Sequence, residues 1–218
     1  MDVAIPIYDA FTALDAVGPY EVLSRVPGAR VRFIAAKPGA VTTDNGMLSV
    51  VAEASLDEVP APEVLVVPGG ISSSQVARDD AFVGWVRRAH ETSTWTTSVC
   101  AGALILGAAG ILEGLKATTH WLDYEELATY GARPTPQRVV EQGKVITSAG
   151  VSSGIDMALT LAARIAGDDV ARAIQLSIEY DPQPPFDAGS IATAGPKIEA
   201  MVRAAVAARN TSSPARAV

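Results

Sequence analysis

Apolar residues along the chain fall into short dense runs, separated by longer stretches in which apolar and polar positions alternate at helical spacing. Val3 to Tyr8, Arg30 to Ala35, Glu63 to Ile71 and Thr94 to Val99 are the dense runs, rich in β-branched and aliphatic residues, and they predict buried strands. Pro6 argues that the first of these lies at a sheet edge or carries a terminal irregularity. Between them, Thr12 to Leu23 predicts a helix with Pro19 in its first turn and Tyr20, Leu23 and Val26 as an apolar stripe. Gln75 to Thr92 predicts a single helix with Val76, Phe82, Val83 and Val86 inward and His90 in its solvated polar part.

Further along, Ala101 to Ala109 is small or long-chain apolar, as suits a helix packed closely on a sheet, and Gly110 and Gly114 bracket its end. Tyr124 to Tyr130, Gly150 to Ala163, Val170 to Tyr180 and Pro196 to Arg209 predict later helices. Hairpins are expected in Val41 to Ala54, around Asp44-Asn-Gly46, and in Arg138 to Ala149, around Gln142-Gly143. Leu56 to Pro60 predicts a surface turn, Pro182 to Ser190 an extended segment, and Asn210 to Val218 a flexible tail. Strands alternating with helices imply a mainly parallel α/β sheet with helices on both faces, forming one domain over residues 1–209. In such sheets ligands bind at the carboxyl ends of the strands. Asp15, Gly69-Gly70, Cys100 and Gly150-Val151 each follow a predicted strand, so all four are expected to converge there.

Composition narrows the function classes. The 218 residues, 49% of them hydrophobic, suffice for one substantial core. A net charge of −7 with no Lys/Arg run gives no electrostatic basis for binding nucleic acid or an anionic membrane. A single cysteine rules out an internal disulfide. The first residues lack the basic-then-apolar pattern of a signal peptide, and no apolar run approaches the ~20 residues of a membrane span. The expected location is cytoplasmic.

That single cysteine, Cys100, falls at a strand-to-helix joint, where Ala101, Gly102 and Ala103 allow a sharp turn. Helix N–H groups facing the side chain would favour the reactive thiolate; the other outcome is a buried structural thiol. Asp15 reads either as a helix cap or as a carboxylate delivered to the ligand crevice. Gly69 and Gly70 fit a tight turn or a close backbone approach to a ligand. His120 reads as a buried imidazole bonded to backbone or as a partner of the cysteine.

Val66-Val-Pro-Gly-Gly70, Thr97-Ser-Val-Cys-Ala-Gly-Ala103 and Ala117-Thr-Thr-His-Trp121 resemble the ThiJ/PfpI superfamily. Within it, Leu14-Asp-Ala-Val-Gly-Pro19, Gly150-Val-Ser-Ser-Gly-Ile-Asp156 and Glu179 to Gly189 look most like the isocyanide (isonitrile) hydratases. The similarity runs from about residue 3 to about residue 190. It implies a flavodoxin-like three-layer sandwich with Cys100 on a nucleophile elbow. The implied reaction adds water to a small-molecule isonitrile, giving an N-substituted formamide without cofactor or metal. Cys100 would be the nucleophile and Asp15 the general acid and base. Backbone groups of Gly70, Ala101, Gly150 and Val151 would line the pocket and steady developing charge, with His120 nearby. The resemblance also implies a homodimer. One departure is Ala101, where the hydratases carry threonine: a backbone N–H role survives that change, a hydroxyl role does not.

Three rival readings share the fold. A regulator's ligand-sensing domain would append a DNA-binding region of roughly a hundred residues, and only Pro196 to Val218 follows the motifs. A stress-response protein acting on carbonyl adducts or peroxide would use the same cysteine, usually with glutamate in place of Asp15. An amidase or protease would need a histidine placed as the cysteine's base.

Overall fold

The computed structural model describes residues 1–212. Strand β1 (Asp2–Pro6) leads to α1 (Ala13–Leu23), β2 (Arg30–Ala35), the pair β3 (Gly39–Thr42) and β4 (Ser49–Ala52), short β5 (Ala54–Ser55) and β6 (Val64–Val67). Helices α2 (Ser73–Val76) and α3 (Asp80–Thr92) precede β7 (Trp95–Val99) and α4 (Gly102–Ala108). Next come β8 (Lys116–Ala117), a 3-10 turn at Trp121–Asp123, α5 (Tyr124–Thr129) and β9 (Arg133–Pro134). Strands β10 (Val139–Gln142) and β11 (Val145–Ser148) are followed by α6 (Ser153–Ala166), α7 (Asp168–Ser177) and α8 (Ile191–Ser212).

Seven strands form the central sheet in the order β10-β11-β7-β6-β1-β2-β5. All neighbours are parallel except β10, which turns back on β11 as the predicted hairpin. Parallel sheets of this kind are covered on both faces, so their strands read as continuous apolar runs. Val64 to Val67 of β6 are accordingly all buried. The sheet and its surrounding helices are the α/β, flavodoxin-like architecture expected from the pattern and the resemblance. The second expected hairpin is β3–β4, with Asp44-Asn-Gly46 in its loop.

Several local expectations give way to neighbours the sequence does not display. Of the two readings of Pro6 the sheet edge fails, since β1 lies between β6 and β2, while the terminal position holds, Pro6 being the last residue of the strand. Pro19 sits inside α1, not in its first turn, and the helix packs on α6, where Pro19 Cδ would stand 3.4 Å from a Cβ at Gly154. Tyr20 is partly exposed, its ring 5.4 Å from that of Phe33. The single helix expected over Gln75 to Thr92 is two, because Asp79 caps a new start by accepting from the N–H groups of Ala81 and Phe82. His90 is half-buried and bonded to Thr96 Oγ1 at 2.8 Å, and burial lowers its pKa.

The chain divides into two compact units, the first of residues 1–179 and the second beginning at Tyr180. The predicted helix to Tyr180 stops at Ser177, and 182–190, expected to be extended, has no helix or strand and only bends. Helix α8 is broken at Gly195, whose φ of 75° lies outside the helical region, and Pro196 opens the longer part. Of the expected tail, Asn210 to Ser212 continue this helix, and residues 213–218 lie outside the described part. Among the described residues no helix is long and apolar enough to cross a membrane.

Candidate active site

The site is built at the joint between β7 and α4. Cys100 has φ 55°, a left-handed conformation that side chains disfavour and that a sharp strand-to-helix elbow imposes. The elbow is held from both sides. Its N–H donates to the carbonyls of Ser148 and Ala149 at 3.1 and 2.9 Å, and its carbonyl accepts from Thr119 Oγ1 at 2.9 Å. Close packing demands glycine twice: a Cβ at Gly102 would stand 2.2 Å from the Val67 carbonyl oxygen, and one at Gly69 2.5 Å from Ala101 N.

Asp15 occupies the first turn of α1 and is fully buried. It does not cap that helix. Its Oδ2 accepts from the Gly69 N–H at 2.9 Å, whereas Oδ1 has no hydrogen-bond partner among the described residues. Burial raises its pKa to about 7; the Gly69 hydrogen bond and the neighbouring Cys100 thiol pull it down, and the charge of Asp44 pushes it further up. Asp44 reaches this region from the β3–β4 loop, where its Oδ2 accepts from Thr12 Oγ1 at 2.9 Å.

Cys100 is 7% exposed. Backbone N–H groups of Val151 and Ala101 reach its sulfur and favour the thiolate, but burial and the Asp15 charge outweigh them and push the thiol well up. Of the two outcomes open from the sequence, burial favours the protonated thiol, here beside a carboxyl group.

The four strand-end features meet as expected. Gly69 lies against Asp15 and the elbow, Gly70 bridges to Phe11, and the Val151 backbone lies near enough to the thiol to lower its pKa. Gly150 abuts His120, since a Cβ there would lie 3.0 Å from the imidazole Cδ2. His120 is kept neutral by burial, and its Nδ1 accepts from the Leu122 N–H at 3.4 Å.

Two further groups belong to this cluster. Tyr8 follows β1 and donates to the Pro68 carbonyl at 2.7 Å; it exchanges a 3.0 Å hydrogen bond with Ser73 Oγ. Burial raises its pKa, and so do the charges of Asp15 and Cys100. Asp123, three residues after His120, is raised to about 6 by burial and by Glu126, and its charge in turn raises the thiol. Tyr8 was legible as a polar residue at a strand's carboxyl end; Asp123 had only its spacing from His120 to mark it. A cavity of about 450 Å³ is lined by Tyr8, Asp9, Ser72, Gln75 and Arg78, but by neither Asp15 nor Cys100.

The DJ-1/PfpI family pattern matches residues 1–164. Isonitrile hydratase of Pseudomonas putida is 38% identical over 94% of this chain and 90% of its own. The HTH-type transcriptional regulator CdhR of Pseudomonas aeruginosa is 29% identical over 81% of this chain, which spans about half (52%) of the regulator's length. The crystal structure of a ThiJ/PfpI family protein from Pseudomonas syringae superposes with a TM-score of 0.90 at 37% identity, covering 96% of this chain and 87% of that one. With the elbow cysteine, the parallel sheet and the family pattern over most of its length in agreement, the chain belongs to the DJ-1/PfpI family.

Proposed function

We propose that the protein is an isonitrile hydratase in which Cys100 adds to the isonitrile carbon and Asp15 moves the proton. The observation that carries this is the pairing of a buried carboxyl, raised to about 7, with the thiol of the elbow cysteine. The extensive likeness to a hydratase supports the same substrate class.

An isonitrile carbon accepts a nucleophile and a proton at the same atom. As the sulfur bonds to it, the thiol proton passes to Asp15, and Asp15 protonates the carbon lone pair, giving the thioimidate R–N=CH–S–Cys100. A carboxyl poised near neutrality suits this relay, since it both takes and gives a proton without a large free-energy step. The N–H groups of Ala101 and Val151 stabilise the sulfur as its proton leaves, and Gly70 and Gly150 complete the backbone wall of the pocket. Water then adds to the thioimidate carbon, its protons are redistributed to nitrogen and sulfur, and the C–S bond breaks. The products are R–NH–CHO and the free thiol, so one water is consumed and nothing is oxidised. The donor at Ala101 is its backbone, so the absence of a threonine hydroxyl there leaves the proton relay intact. The same proposal makes the protein a cytoplasmic homodimer acting on a small molecule.

The test is incubation with an aryl isonitrile while the absorbance of its formamide is followed. Steady formamide formation by the parent protein and none by Cys100→Ser is the expected result. A well-folded parent that produces no formamide rejects the proposal.

A further inference from the structure

Asp15 is wholly buried, and the elbow has other acid-base groups beside it that bulk water touches. His120 and Asp123 are such groups, with side chains 24% and 27% exposed. Two features hold their turn against the elbow, and a third joins the two side chains within it. Thr119 Oγ1 donates to the Cys100 carbonyl at 2.9 Å. The His120 ring fills the space that a Cβ on Gly150 would take, beside Val151, whose N–H reaches the sulfur. Asp123 Oδ2 lies 4.0 Å from His120 Nδ1.

We propose that Asp123, flanked by His120, holds and deprotonates the water that hydrolyses the Cys100 thioimidate, while Asp15 serves the first half of the reaction. This rests on the hydratase assignment above. The acid-base properties agree with it. Asp123, at about 6, is a carboxylate at neutral pH with more basicity than an ordinary aspartate. Burial keeps His120 uncharged, so Asp123 is not neutralised by an imidazolium beside it.

Each proton has a destination. As the water oxygen bonds to the thioimidate carbon, Asp123 takes one proton and passes it to the substrate nitrogen. The resulting tetrahedral species carries hydroxyl, sulfur and N–H on one carbon. When the C–S bond breaks, the hydroxyl becomes the formamide carbonyl, and its proton returns to the sulfur through Asp15. Asp123 ends as the carboxylate it began as.

Asp123→Asn mixed with an aryl isonitrile, quenched in acid at intervals and weighed intact, separates the two halves. Cys100 is expected to gain the mass of one isonitrile at a rate within about twofold of the parent's, and the adduct to accumulate, while formamide release falls about a hundredfold. Asp123→Glu, which keeps the carboxylate, is expected to recover part of the release. Release by Asp123→Asn within about twofold of the parent overturns the inference. So does parallel loss of adduct and release, which would make Asp123 a structural residue or a participant in the first half. Failure of the parent itself to release formamide rejects the hydratase assignment, and this inference with it; an active parent beside an unaffected Asp123→Asn rejects this inference alone.

Discussion

At the scale of single residues, the site turns on acids withdrawn from water. Asp15 has an ordinary pKa of 3.8 and is raised to about 7 in the fold, so the folded chain binds this proton more tightly than the unfolded chain. The stability associated with that proton is fully present below about pH 4 and is lost as pH rises through about 7. Above that, the ionised buried carboxylate costs on the order of 4 kcal/mol. Asp15→Asn keeps an oxygen for the Gly69 N–H and removes the charge. Its melting temperature is expected to exceed the parent's at pH 8, with the gap narrowing towards pH 4. An equal gap at both pH values contradicts the assignment, because Asp123 and the other acids titrate alike in both proteins. Cys100 and Asp15 were legible in the sequence because each falls just past an apolar run. The protonation of the thiol was not, because desolvation depends on the depth of burial, which no spacing encodes. Asp123 was missed for the same reason: a polar residue near a turn looks alike whether it faces solvent or a sulfur. Tyr8 was missed although its place at a strand's carboxyl end marked it.

The elements carry the strain that aims the nucleophile. Strand β7 ends and α4 begins with only Cys100 and Ala101 between them, so the backbone at Cys100 takes φ 55°. Glycine tolerates that conformation where other residues lose about 1 kcal/mol. Cys100→Gly is therefore expected to be more stable than Cys100→Ala by about 1 kcal/mol in chemical denaturation, although both lack the thiol. Equal stabilities, or the reverse order, would show that the elbow is relaxed. Most elements were readable from hydrophobic period alone, since the buried parallel strands are apolar on both faces. The misread ones depend on partners elsewhere. Pro19 was drawn at a helix start because proline favours that place, but the α1–α6 packing carries the helix through it. The break between α2 and α3 rests on one capping carboxylate, Asp79, within an otherwise continuous helical pattern.

Across the whole molecule, the parallel sheet gathers the strand ends, and residues far apart in sequence meet there. Gly69 and Asp15 are 54 positions apart and share a hydrogen bond. The surface retains large apolar side chains, with Leu176 78%, Phe186 77% and Met201 60% exposed. Coverage of such groups by a second copy suits the proposed homodimer, for which light scattering during gel filtration is expected to give twice the chain mass of 22.6 kDa. Elution at the mass of one chain contradicts it. The most direct test of the catalytic account is the rate of formamide release from an aryl isonitrile, measured for the parent, Cys100→Ser and Asp15→Asn under the same conditions. The account predicts turnover by the parent, none by Cys100→Ser, and a loss of about a hundredfold or more for Asp15→Asn. Turnover by Asp15→Asn at the parent's rate would contradict it.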